Sequence, residues 1–303
     1  MAEILVIDYK LMCFNQHHNH RPLLGVFSEI TRICRSNNVA PSKIVFAVDV
    51  GKSKRSLIYP AYKGHRKEND KKATPQEQER KKLFEQEYRD SLPWLSYFGN
   101  VIDINGIEAD DVGAIIANRF ANTDTKVTLL SSDKDWASFL FADNIRMLNV
   151  KRNLFITARN CVDEYELDPL GIFYLQVFAG SAKENVKGIH KFGVKTFLKL
   201  YDNYSDFNTL KHEVKELLDS GYRGICLPDE STSYDNMVEL NYKLFKPVTL
   251  TDLSEEDHKE FLEKFSSRPL GNSFEEFSMK LLQEHSKVCP LSPADKLFFK
   301  MKD

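Results

Sequence analysis

No apolar stretch among the 303 residues approaches the roughly 20 needed to cross a bilayer. Nor does a basic stretch precede a cleavable apolar segment at the N-terminus, so a cytosolic chain is expected. Cysteine is scarce. The five residues Cys13, Cys34, Cys161, Cys226 and Cys289 are odd in number and widely scattered, without the paired spacing of a zinc site or a disulfide framework. Reduced thiols are expected. A phosphate-binding P-loop is excluded as well, because Gly51-Lys52-Ser53 has Phe46 where the first glycine belongs. His17-His18-Asn19-His20 has no cysteine or acidic partner at zinc-like spacing and reads as a solvated loop. No internal repeat is present.

What remains is an ordinary globular composition, 42% hydrophobic and 28% charged, in a chain long enough for one large domain or two smaller ones. The net charge of −2 hides a segregation. Between Lys52 and Lys82 eleven basic residues face four acids, and between Asp252 and Glu284 nine acids face four basic residues. Such an acidic segment is commonly a solvated helix surface, but the basic run follows Asp49 directly and can draw a polyanion toward it.

Strand-like runs at 4–8, 44–49, 101–104, 127–132 and 145–149 alternate with helical stretches at 22–36, 77–97 and 109–121. That alternation predicts an α/β fold with a mostly parallel central sheet flanked by helices. The region 63–82 has few aliphatic residues and reads as a mobile or conditionally helical excursion. Beyond Asp168 strand signals fade, and helices are expected at 168–180, 194–202, 207–219, 254–266 and 273–286.

Seven carboxylates stand at the ends of these runs: Asp8, Asp49, Glu108, Asp110, Asp111, Asp133 and Asp135. In an open parallel sheet functional groups collect at the carboxyl ends of strands, and Glu108 to Asp111 open a helix. Gathered in one crevice, these groups repel one another unless divalent cations are present. Two such ions can activate a water and stabilise the leaving oxygen in phosphodiester hydrolysis.

The motifs Ile7-Asp8, Phe46-Ala47-Val48-Asp49 followed by Arg55, Tyr62-Lys63-Gly64-His65-Arg66, Gly106-Ile107-Glu108-Ala109-Asp110-Asp111, Ser131-Ser132-Asp133-Lys134-Asp135-Trp136 and the segment from Gly188 to Thr196 form an ordered series. In order and spacing, over residues 4–200, the series resembles the structure-specific 5′-nuclease family, in particular its bacteriophage ribonuclease H and flap endonuclease branch. Leu240-Asn241-Tyr242-Lys243-Leu244 is similar to the segment that returns toward the core in those nucleases.

The resemblance implies a PIN-like catalytic domain over 1–165, with a mobile basic arch at 52–90. A helical domain over 166–303 would follow, with a helix–three-turn–helix module at 180–200. It also implies two magnesium ions, replaceable by manganese. Asp8, Asp49, Glu108, Asp110 and Asp133 would surround the first ion, some through water, with Asp135 and Glu184 at the second. Asp111 would support the helix start. Tyr62 would stack on an unpaired base, Lys63 would contact the scissile phosphate, and Arg66 would hold the 5′ side. Arg55, Lys187, Gly188, His190, Lys191, Gly193, Lys195 and Thr196 complete the expected nucleic-acid contacts, and Lys183 and Lys199 extend a spread of lysines read as a phosphate track. The expected activity is 5′-3′ nuclease action on DNA and RNA–DNA duplexes, removing RNA primers and 5′ flaps in phage replication. The enzyme would be a monomer in the host cytoplasm, with no membrane partner.

The sequence departs from the family pattern at Gly180-Ser181-Ala182-Lys183-Glu184-Asn185, where relatives carry Gly-Asp-x-x-Asp-Asn. One carboxylate is lost and the other lengthened, which weakens the second ion site. Lys191 stands where a hairpin glycine is common, and Lys134 replaces the glycine between Asp133 and Asp135. A branched-DNA binding protein with weakened catalysis is therefore an alternative. A PIN-like endoribonuclease is another, disfavoured by the hairpin at 188–196. A single-stranded DNA-binding protein or another replication protein would dock on the acidic helices at 252–284 or on Leu297-Phe298-Phe299.

Overall fold

The computed structural model describes residues 2–18, 25–66, 72–201 and 206–269. Six strands form one sheet: β1 Glu3–Asp8, β2 Lys43–Ala47, β3 Asn100–Ile102, β4 Lys126–Ser131, β5 Ile145–Asn149 and β6 Leu154–Ile156. Their order is β3-β2-β1-β4-β5-β6. Strands β1 to β5 run parallel, and only the short β6 is antiparallel, to β5. The expected mostly parallel α/β sheet is present; β6 was not anticipated, since its three residues are too few to carry a periodic signal.

Alternation along the strands explains why both faces are covered. Ile4 and Val6 of β1, Val45 and Ala47 of β2, and Val127 and Leu129 of β4 point into one apolar cluster. Leu5, Ile7, Ile44, Phe46 and Leu130 point into the other. The fully buried strands read as continuous apolar runs because both of their faces need covering. Helices α1 Tyr9–His18, α2 Gly25–Ser36 and α4 Pro75–Leu95 close the second face, with α3 Arg55–Ile58 preceding α4 at the mouth of the sheet. Thr74 starts α4 through a capping box with Glu77, followed by Pro75 in the first turn.

The first face is covered by α5 Ala109–Phe120, followed after the short α6 Cys161–Tyr165 by α7 Pro169–Ala179. After the four-residue α8 Val194–Phe197 come α9 Phe207–Asp219, α10 Tyr234–Phe245 and α11 Glu255–Ser266. The predicted helix at 207–219 is found with those bounds. That at 194–202 stops at Phe197, because the chain tightens into i→i−3 bonds from Lys199 to Thr196 and from Leu200 to Phe197. Helices α1 and α10 were not expected as such. The helix expected at 273–286, the acidic residues beyond 269, Leu297-Phe298-Phe299, His20 and residues 67–71 of the basic excursion lie outside the described residues. Among those described, no helix is long and apolar enough to cross a membrane.

The loop between α7 and α8 is set by two glycines. Gly180 has φ +67, and a Cβ there would lie 2.4 Å from the carbonyl oxygen of Val186. Gly188 presses on the preceding helix end, where a Cβ would sit 2.1 Å from the carbonyl carbon of Ala179. Gly193 meets nothing within 4 Å and has an extended φ of −124°. Gly188→Ala should therefore destabilise the fold by roughly 1–3 kcal/mol through overpacking, whereas Gly193→Ala should leave the urea midpoint unchanged. Equal midpoints for both variants would remove Gly188 from this packing role.

Candidate active site

The order in which strands are added reverses beside β1: β2 and β3 extend to one side, β4 and β5 to the other. Such switch points open a crevice at the carboxyl ends of the strands. Asp8 ends β1, Asp49 follows β2 by two residues, and Asp133 follows β4 by two. The start of α5 comes to the same place because Asp49 Oδ1 accepts the N–H of Ala109 at 2.7 Å. All seven expected metal ligands, Asp8, Asp49, Glu108, Asp110, Asp133, Asp135 and Glu184, line one pocket of about 490 Å³, together with Arg55, Tyr62, Lys63 and Arg66.

Two carboxylate groups can be distinguished inside the pocket. Glu108, Asp110 and Asp111 offer oxygens within 4.8 Å of one another. Arg55 neutralises this group, with Nη1 2.7 Å from Glu108 and Nη2 2.6 Å from Asp111, while its Nε donates to the carbonyl of Leu244 at 2.8 Å. Expected to meet nucleic acid, Arg55 instead ties α5 to α10 from within the site. Asp111 also accepts the N–H of Glu108 at 3.0 Å, the supporting helix-start role expected of it. The second group pairs Asp133 with Asp135, and Gln176 from α7 donates to Asp135 at 2.6 Å.

Tyr62 and Lys63 line the pocket. Tyr62, expected as an open stacking face, is 7% exposed. It packs on Val186 and Leu244, and its hydroxyl donates to Glu108 at 3.0 Å. Lys63 takes a left-handed φ of +55° and gives its backbone N–H to the carbonyl of Glu184 at 2.8 Å. Backbone strain of this kind at a non-glycine persists only where the surroundings enforce it, as they do at functional sites. The Lys63 ammonium bonds Glu108 and lies 3.3 Å from Glu184, which Arg66 approaches at 3.5 Å.

The lysine series divides. Lys183 bonds Asp133 and lies 3.7 Å from Asp135, so it belongs to the pocket and not to a phosphate track. Its position two residues after Ser181 was the available signal. Lys187 pairs with Asp229 at 2.9 Å, and Lys199 with the hydroxyl of Tyr222 at 2.6 Å. Lys191 and Lys195 are exposed, and His190 anchors the loop by donating its N–H to the carbonyl of Cys226 at 2.9 Å.

Burial, and after it charge crowding, leaves its mark on proton affinity. Burial pushes Asp8 up to about 7, with Asp49 and then Asp133 adding to it against hydrogen bonds from the Leu11 N–H and the Ser131 hydroxyl. Asp110 is raised well above the carboxylate range by burial, opposed by Arg55 and reinforced by Asp111 and Glu108. Asp135 is raised by burial and by Asp133, with Lys183 opposing. Burial would raise Glu108 too, but Arg55 and Lys63 outweigh it and hold the group down to about 2. The donors are hard oxygens held together against their repulsion, and Glu184 Oε2 is buried without a hydrogen bond. This is a set that fits a divalent cation.

These shifts set the pH behaviour of the metal-free protein. Asp8 binds its proton more tightly folded than unfolded, so its contribution is complete below about pH 4 and is lost as pH rises through 7. That loss amounts to roughly 4 kcal/mol. Glu108 acts in the opposite sense, but only below its unfolded value of 4.5. The melting temperature of chelator-treated protein should thus fall between pH 4.5 and 8, and Asp8→Asn should remove much of the slope. A parent profile flat over that range would contradict the burial of an ionised Asp8.

Known proteins share this fold. The family described as 5′-3′ exonuclease, N-terminal resolvase-like domain, matches residues 5–166. A 5′-3′ exonuclease of Buchnera aphidicola subsp. Schizaphis graminum is 25% identical over 244 residues, 78% of this chain and 81% of that protein. The flap endonuclease of Escherichia phage T5 is 24% identical over 254 residues, 82% of this chain and 83% of the relative. A structure of the bacteriophage T5 flap endonuclease with DNA and metal ions superposes with a TM-score of 0.71 at 20% identity, covering 88% of this chain and all of that one. With a match that spans more than half of its length and a carboxylate pocket at the switch point of its sheet, this chain belongs to the 5′-3′ exonuclease family.

Proposed function

We propose that the protein is a divalent-metal-dependent 5′-3′ nuclease of flap endonuclease and ribonuclease H type. It would hydrolyse phosphodiester bonds in DNA and RNA–DNA duplexes with a free 5′ end and remove RNA primers and 5′ flaps during phage DNA replication. One observation carries the reading: carboxylates from the ends of β1, β2 and β4 and from the start of α5 share a pocket with Lys63 and Arg66.

Asp8, Asp49, Glu108, Asp110 and Asp133 would hold one ion, and Asp135 with Glu184 a second. When bound there, magnesium, or manganese in its place, would supply an activated water and offset charge on the reacting phosphate. The chain's own groups do the rest. Lys63 and Arg66 offer positive charge to that phosphate. Arg55, Ser53 and the hydroxyl of Tyr62 share Glu108 Oε2 and so orient its carboxylate. The hydroxyl of Ser131 and the N–H of Leu11 orient Asp8. For a base to stack on Tyr62, residues 59–64 must first move.

The loop from Gly188 to Thr196, with Lys191 and Lys195 exposed, would follow the phosphates of a duplex without reading sequence. Residues 1–165 would act as the catalytic unit and 166–303 as the helical unit that carries this loop. A second reading, a branched-DNA binder with weakened catalysis, is favoured by Ser181 in place of a carboxylate and by Lys183 within the Asp133 and Asp135 pair. Cleavage of a labelled flap, a nicked duplex and an RNA–DNA hybrid in magnesium or manganese, beside binding measured in calcium, separates the two.

Asp133→Asn should abolish cleavage of all three substrates while DNA affinity in calcium stays nearly unchanged; undiminished turnover would take Asp133 out of the mechanism. Replacing Lys187, Lys191 and Lys195 together by Ala should weaken duplex binding and flatten its salt dependence, by about 0.9 in log–log slope for each phosphate that is no longer neutralised. If the triple variant keeps the parent's slope, the duplex lies elsewhere on the protein.

A further inference from the structure

The acidic pocket is already partly occupied by the chain's own cations, and these are not equivalent. Arg55 is a fixed part of the fold: its side chain is 13% exposed, and it binds two carboxylates and a backbone carbonyl. Lys63 is also enclosed, at 23% exposure. Lys183 differs from both. Its side chain is 54% exposed, yet its ammonium reaches into the pocket to bond Asp133 and to lie 3.7 Å from Asp135. It comes from the turn between Ser181 and Val186, an isolated antiparallel bridge whose backbone places Glu184 beside Lys63. The same short turn thus delivers one carboxylate to the pocket and, one residue earlier, one positive charge.

That charge stands beside Asp135, one of the two carboxylates assigned to the second ion, and beside Asp133. The position that would add a carboxylate here is Ser181, whose hydroxyl accepts the N–H of Glu184 at 3.2 Å. Asp135 is further occupied by Gln176. This half of the pocket thus has a serine in place of a carboxylate and holds a cation, while the half built from Glu108, Asp110 and Asp111 keeps three oxygens within 4.8 Å of one another.

We propose that the Lys183 ammonium is a tethered cation that fills the Asp133 and Asp135 half of the pocket, so that this half takes up a divalent ion only after Lys183 swings out. The proposal rests on the metal-dependent reading given above. It makes Lys183 a positioning and competing group and not a catalytic one. The long, exposed stem allows the exchange without any change in the fold, because no other described element is anchored through Lys183. A compact ammonium can be displaced by a divalent ion, whereas a buried, forked guanidinium such as Arg55 is held by several bonds at once.

Manganese binding to the full chain without nucleic acid, followed by calorimetry and by the electron spin resonance of free ion, tests this directly. The parent should show one tighter and one much weaker site. Lys183→Ala should tighten the weaker one by roughly tenfold, the effect of removing one nearby unit charge at high effective dielectric, and Lys183→Arg should leave it weak. Lys215→Ala, on α9 and outside the pocket, controls for net charge. Unchanged isotherms in Lys183→Ala, or the same gain in Lys215→Ala, would overturn the proposal while leaving the metal-dependent reading intact. If parent and variants alike bind no manganese, the metal-dependent reading fails and this proposal with it.

Discussion

Repulsion among carboxylates gathered at the switch point of the sheet is the constraint around which this molecule is arranged. A parallel sheet whose order reverses beside β1 necessarily directs the ends of β1, β2 and β4 toward one crevice. With an acid at each end and three more at the start of α5, the crevice carries more negative charge than a buried site tolerates. Burial first, and the neighbouring acids after it, raise the proton affinity of Asp8, Asp110 and Asp135. Arg55, Lys63, Arg66 and Lys183 answer the same repulsion.

The answers come from different distances along the chain and with different permanence. Arg55 follows Asp49 by six residues and joins α5 to α10, so the electrostatic balance of the site also holds two helices together. A buried ion pair of this kind is weak evidence for stability taken alone, yet breaking it by removing one partner leaves charges without compensation. Lys63 and Arg66 come from the turn after α3 and meet Glu184 from the loop after α7, which brings the first and second halves of the chain together across the pocket. Lys183, the most exposed of the three lysine and arginine side chains that enter from the mouth, is the one best able to give way. Its exposure is close to that of Arg66, but it alone bonds the Asp133 and Asp135 pair.

The structure also separates groups that a linear reading joined. The lysines spaced four apart from 183 to 199 share a spacing but divide in space: Lys183 enters the acidic pocket, whereas Lys187 and Lys191 line a separate hollow with Gly188 and Gly193, and between them the chain turns through the left-handed Asn185. Gly188, read as a place for phosphate to approach backbone, is filled by the end of α7. The open glycine is Gly193, at the start of α8.

Five of the six strands, their mostly parallel direction and the acids at or after the ends of β1, β2 and β4 were legible in the chain because apolar runs of strand length, three of them followed by a carboxylate, carry their own periodicity and punctuation. Helix α9 was legible to the residue for the same reason, with Asp206 as its cap. Helix α1 was not: it follows Asp8 without a break, and no repeating apolar face announces it. The identity of the pocket residues was local information, but their partners were not. Whether Arg55 meets a phosphate or Asp111, whether Tyr62 offers an open ring or a hydroxyl to Glu108, and whether Lys183 points outward or between two aspartates depends on contacts over separations of about 50 residues. Composition and spacing determined which charges this protein carries into its crevice; only the folded backbone decided which of them face one another, because a charge selects its partner by distance in space.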